Sequence, residues 1–273
     1  NWFKNYVLIV GFFILGNGIA YGQCDSCTIT FNGNGNPSPN RNIQNNDIIC
    51  VIANRTTQIN LRNANDLTIC IATGVTYNNT FSNINGNNVV INNYGQIGTN
   101  ANRRAITLGN NGAFNNFGSY FGNFISNGGS DITNSGSIVG NITLNSTGAI
   151  FQNSGTQTGS LTINNNTVIN SGLLELSGLT IGSGSPGLTN TSTGTINLDQ
   201  GSDLSINGPF NNAGTFRFLD DDENVSIQSS ATVINTGLFI VARDLTVNGT
   251  FISTAGRLTV GRNLTNNSSG SLQ

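Results

Sequence analysis

The chain has 273 residues, of which 8% are charged, and it contains no His. Lacking His, it cannot build Ser-His-Asp or Cys-His nucleophile pairs, most zinc sites, or the commonest general base. Ten basic residues face twelve acids for a net charge of −2, so there is no basic stripe to hold nucleic acid.

Residues 1–22 read as a secretory signal peptide. Lys4 supplies a short positive region, Val7 to Ile19 are apolar, and Ala20 and Gly22 place small residues before a cut at Gln23. The apolar run is too short and too poorly flanked for a membrane anchor. The expectation is a secreted or outer-cell-surface protein with no membrane insertion once the signal is removed.

Residues 23–46 are expected to form an N-terminal cap, and 47–273 the body of the fold. Cys24, Cys27, Cys50 and Cys70 all lie in the first third of an exported chain, where disulfides are the rule. Cys50 sits in IICVI and Cys70 in TICIA, twenty residues apart. Aligned, Ile49 meets Ile69 and Val51 meets Ile71, so both strands send these residues inward and the Cys outward. Stacked strands about 4.8 Å apart lie within disulfide reach. The spacing predicts Cys50–Cys70 and Cys24–Cys27, with cross-pairing between the two sets as the alternative.

Two phrases then alternate to the end of the chain. Asn-x-Gly occurs in NNYGQI (92–97), NNFGSY (115–120), TNSGSI (133–138), QNSGTQ (152–157), INSGLL (169–174), NNAGTF (211–216) and INTGLF (234–239), with looser copies near 194, 256 and 270. Successive Gly fall 17 to 23 residues apart in all but the last interval. Between them come short alternations such as ITLN (142–145), LTIN (161–164), LSIN (204–207), VSIQ (225–228) and LTVN (245–248). Two short apolar-polar strands per period near twenty are the signature of a solenoid, in which each coil buries its apolar face only against its neighbours. The variable interval suits a right-handed parallel β-helix of roughly ten coils. Asn and Gly tolerate positive φ, which suits corners, and stacked Asn amides can bond in a ladder.

Within the repeats, FNNFGSYFGNF (114–124) concentrates aromatic side chains. Most are expected in the core, with Tyr120 facing outward and Tyr120 and Phe121 as candidate ligand-facing rings. Thr-x-Thr at 28–30, 156–158 and 191–193 would suit an ice-binding face, but the copies fall at different points of the period. Asp220, Asp221, Asp222 and Glu223 form the one acidic run. Four carboxylates could ligate Ca²⁺, yet consecutive residues cannot all face one ion, and a solvated acidic loop is favoured. Arg243, Arg257 and Arg262 are the candidates for a catalytic cleft in the later coils, and they fall at different phases of the repeat.

NNYGQI, INNYG, the LTVNGTF stretch and the Cys-bearing start (CTITFNG, then LTIC) resemble the Asn/Gly-rich repeat regions of adhesin-like surface proteins of Bacteroidetes. The resemblance covers the whole chain after the signal segment. It implies a parallel β-helix displayed outside the cell or on its surface, and members often carry a C-terminal domain for type IX secretion. NPSPNRN (36–42) resembles the secretion domain of filamentous-haemagglutinin-type adhesins more loosely. The expected function is an adhesin-like structural rod without enzymatic activity, whose partners are extracellular glycans or surface proteins. The alternatives are a carbohydrate-active β-helix enzyme (a polysaccharide lyase or hydrolase) and an ice-binding solenoid.

Overall fold

The computed structural model describes residues 24–145, 147–267 and 270–273; the signal segment 1–22 lies outside them. Among the described residues there is no α-helix. Thirteen strands stack in one column, from Ile29–Asn32 to Ser271–Leu272. Each pairs in parallel with the strand one coil away: Ile29 meets Ile49, Ile49 meets Ile69, and Ile69 meets Ile91. Two further columns share a seventeen-stranded parallel sheet. One runs through Gln96–Ile97, Ser119–Phe121 and Ser137–Val139. The other runs through Ile106–Asn110, Phe124–Gly128 and Ile142–Leu144. The fold is a parallel β-helix of about twelve turns, close to 58 Å of rod at the usual strand spacing.

Twelve turns exceed the ten expected because Asn-x-Gly marks only the coils from Asn93 onward. In the first three coils Phe31, Val51 and Ile71 hold the place that Asn93 holds in the fourth. The segment expected as a cap also contributes the first strand of the column.

Period-two alternation puts one residue in two inside. Phe114, Ile132, Phe151, Val168, Leu188 and Phe210 form one inner stack, and all are buried. Rings also meet elsewhere in the core: Phe114 lies 5.3 Å from Phe124 of the third column, and Phe216 4.5 Å from Phe239, both in the second. The next inward residue, two positions on and where the chain turns into the second column, is Asn. Asn93, Asn116, Asn134, Asn153, Asn170, Asn190, Asn212 and Asn235 are all buried. Each Nδ2 from Asn93 to Asn212 donates to the Oδ1 of the next at 2.7 or 2.8 Å, and that of Asn235 ends the run on the Ser253 hydroxyl. Each donates again to a carbonyl that opens the second column, such as Ser119 or Ser137. The expected amide ladder is present, and it satisfies corner carbonyls that would otherwise be buried unpaired.

The Gly of each phrase has a different cause from the one expected. Gly118 and Gly136 are not among the residues with positive φ. A Cβ on Gly136 would collide with the Gly118 carbonyl, and one on Gly118 with the Gly95 carbonyl. Corners stack so closely that only a hydrogen fits, so the residue answers to close approach rather than to backbone freedom.

The disulfides are Cys24–Cys70 and Cys27–Cys50, the cross-paired alternative. Cys50 and Cys70 do stack in register as expected. Parallel side chains on adjacent coils keep their Cβ atoms near the strand spacing, about 4.8 Å, beyond the 3.5–4.5 Å a disulfide prefers. The Cys24–Cys27 segment lies across both and reaches one with each thiol, at Cα separations of 5.7 and 5.8 Å.

Candidate functional site

Three outer surfaces carry residues that could recognise a ligand. The first is the corner between the first and second columns. Tyr94 and Phe117 are the middle residues of two adjacent Asn-x-Gly phrases, so the coil register lays one ring on the other. Their centroids are 4.7 Å apart and their planes 7° from parallel. Phe117 is 46% exposed, an unusual position for Phe beside a well-filled core. Beside the rings runs a groove of about 320 Å³ lined by Gly74, Gly95, Gly118, Thr76, Gln96 and Ser119. Gly95 and Gly118, which close stacking requires, add no side chains to it, and the hydroxyl and amide groups stand along it.

The second surface is the outer face of the third column. Its outward residues are Thr107, Ile125, Thr143, Thr162 and Thr180, then Ser205, Ser226, Thr246 and Thr265. Apart from Ile125, this is a single file of hydroxyls at coil spacing. Asn145 and Asn164 flank it, the amide of each donating one coil back to Asn127 and Asn145. Midway, the pairing between Leu173–Ile181 and Leu204–Ile206 narrows to one residue pair. There a groove of about 440 Å³ opens between Thr162, Thr180, Gln200, Asp203 and Ser205.

The third surface is the acidic rim. Asp203 accepts hydrogen bonds from the backbone and side-chain nitrogens of Asn224, at 2.7 and 3.1 Å, and these hold its carboxyl below the usual range. Glu223 shares a hydrogen bond with Asp203, which pushes its own carboxyl up. Asp222 instead offers its backbone carbonyl to the Arg243 guanidinium. Among the described residues no group of three or more acids, Cys or His is arranged to hold a metal ion, so the chain brings Asp220 to Glu223 to no common point.

Other expected positions move. Tyr120 is buried, its hydroxyl 2.6 Å from the Asn123 carbonyl and 2.8 Å from that of Arg104. Period-two alternation from Phe114 through the corner turns it inward, while Phe121, half-buried, faces the outer side. Arg243 and Arg262 share one phase, Arg262 lying directly on Arg243, and only Arg257 differs. Thr156 and Thr158 are stacked against Leu173 and Glu175, so Thr-x-Thr builds no array. The hydroxyl file comes instead from the second letter of LTIN, LSIN and LTVN. That signal was open to reading, as was the aromatic middle letter shared by NNYG and NNFG.

Comparison with protein-family models, with curated proteins and with solved structures finds no match for this chain.

Proposed function

We propose that the protein is an adhesin-like rod that works outside the cell and binds glycans at the Tyr94–Phe117 corner. The stacked, partly exposed ring pair carries this reading. Aromatic faces beside a few fixed polar groups are the composition of a small-molecule site. A pyranose presents an apolar face to a ring and hydroxyls to its surroundings, which Thr76, Gln96 and Ser119 can meet. Two disulfides support an oxidising, extracellular setting. The Asn ladder and inner stack supply stiffness, so the mechanism is display of a fixed face rather than movement. A glycan array probed with purified protein tests it. Wild type retains a set of neutral glycans and Phe117→Ala loses them. An array with no wild-type hits, or hits that survive both Phe117→Ala and Tyr94→Ala, ends the proposal.

The hydroxyl file favours a second reading, binding to ice, which also presents a periodic surface. Inhibition of ice recrystallisation that Thr162→Tyr and Thr180→Tyr abolish would select it over the glycan.

A further inference from the structure

At the start of the rod, Arg55 is placed where a core residue is expected. It bridges in parallel to Tyr77, whose column continues inward through Ile97 and Tyr120. Arg55 therefore begins an inner stack, and it is only 5% exposed. Its guanidinium lies 4.2 Å over the Phe31 ring, and one terminal nitrogen donates to the carbonyls of Gly33 and Gly35. Its Nε is buried and has no acceptor. The ion pairs among the described residues are Arg41–Asp47 and Arg262–Asp244, so Arg55 has no carboxylate partner. A buried charge without a counter-ion is expensive to keep.

Arg55 also lines an open groove of about 280 Å³ between the N-terminal segment and the first coils. Two more Arg line it, Arg41 and Arg62, together with amides and hydroxyls that include Asn34, Thr57 and Gln58. None of its lining residues is acidic. Asp47 neutralises Arg41, which leaves Arg55 and Arg62 uncompensated.

Arg62 supplies an independent observation. Its φ is 56°, in the left-handed region. The other described non-glycine residues with positive φ are all Ser, Asn or Asp, the types that tolerate it. An exposed Arg kept in that conformation, in a chain so rich in Asn, points to a use for its side chain.

We propose that this groove binds an oxyanion group, sulfate ester or carboxylate, carried by an acidic glycan. Planar guanidinium groups match both oxyanions with paired hydrogen bonds. The flanking amides and hydroxyls suit the saccharide that carries the charge. Only the choice of a saccharide as carrier rests on the adhesin reading, and the Tyr94–Phe117 corner is a separate site.

The test has two arms on the full chain. Thermal melts in low-millimolar sodium sulfate, against chloride at equal ionic strength, read the anion itself. Sulfate also stabilises proteins by exclusion from their surface, so the readout is wild type minus Arg62→Asn. Asn suits the left-handed backbone at 62, so that variant folds. The expected difference is a rise of about 2–4 °C. Affinity electrophoresis in dextran sulfate, polygalacturonate and neutral dextran reads the carrier. One or both acidic polymers retard wild type, dextran does not, and Arg62→Asn and Arg55→Lys each weaken the retardation at least tenfold. No sulfate-specific rise overturns the site, as does retardation unchanged in both variants. A sulfate rise without retardation by either polymer overturns the glycan as carrier, whatever the array shows for the aromatic corner.

Discussion

Asn153→Ala cuts the amide ladder at its centre, and its effect follows from the bonds it removes. Asn153 accepts from Asn134 at 2.7 Å and donates to Asn170 at 2.8 Å and to the Gly155 and Leu173 carbonyls at 3.2 Å each. Its residue is 1% exposed, so no water replaces these partners. Two hydrogens on Nδ2 serve its three acceptors, so Asn153 makes three full bonds, and at about 1 kcal/mol net each the loss is about 3 kcal/mol. Asn93→Ala, at the ladder's first rung, breaks two bonds, to Asn116 and to the Ser119 carbonyl. It also removes a buried Oδ1 that has no donor, relieving about 1–3 kcal/mol. The end rung should therefore change stability by no more than about 1 kcal/mol in either direction. Both variants leave a similar small void, so their difference, about 3 kcal/mol, isolates the ladder. Urea unfolding followed by far-ultraviolet circular dichroism measures both, compared at unchanged m. Asn153→Asp should be worse than Ala, because a carboxylate would face the Asn170 Oδ1 with no proton to offer. Equal costs at the two rungs, or a central cost under about 1 kcal/mol, would refute the ladder as a source of stability.

Three further outcomes are expected. Gly136→Ala drives a methyl into the Gly118 carbonyl and should cost more than about 3 kcal/mol, whereas Gly201→Ala, in open space and without positive φ, should cost under about 1; comparable melting temperatures would remove the close-approach argument. Non-reducing peptide mapping should recover Cys24–Cys70 and Cys27–Cys50, and reduction should lower stability by about 2–5 kcal/mol; a recovered Cys50–Cys70 peptide would contradict the cross-pairing. Burial pushes the Asp47 carboxyl up, but bonds from Arg41, the Gln44 amide and Thr28 outweigh it and hold it below the usual value. A depressed carboxylate adds stability above its unfolded value, about pH 3.9, and loses it as pH falls through the folded one. The melting temperature should drop below about pH 4, and Asp47→Asn should show a shallower drop; parallel profiles would exclude Asp47 as a source.

Much of this architecture is legible in the sequence because a solenoid repeats one local rule. Alternation fixes which residues face inward, and the interval between Asn-x-Gly phrases fixes the coil. The ladder follows, since equal phase means stacked side chains. Legibility fails where the rule changes. Phe31, Val51 and Ile71 replace Asn in the first coils, so counting phrases misses three strands. Tyr120 keeps the parity of Phe114 and Asn116, so alternation carried through the corner turns it inward, and the outward expectation rests on its polar hydroxyl rather than on the count. Disulfide choice depends on where Cys24 and Cys27 lie in space, which no period encodes. The surfaces that carry recognition come from comparing the same letter across coils: Tyr94 with Phe117, Thr162 with Thr180. Arg55 was the hardest to see, because its register with Tyr77 spans coils that share no phrase.

The most direct test of the glycan-binding account is an equilibrium titration of the best array glycan against wild type and Phe117→Ala. Phe117 is exposed at the corner and its loss leaves the inner stack intact, so the melting temperature should hold while affinity falls at least tenfold, about 1.4 kcal/mol. Affinity within about twofold of wild type, in a variant that melts normally, would contradict the assignment of the Tyr94–Phe117 corner as the binding site.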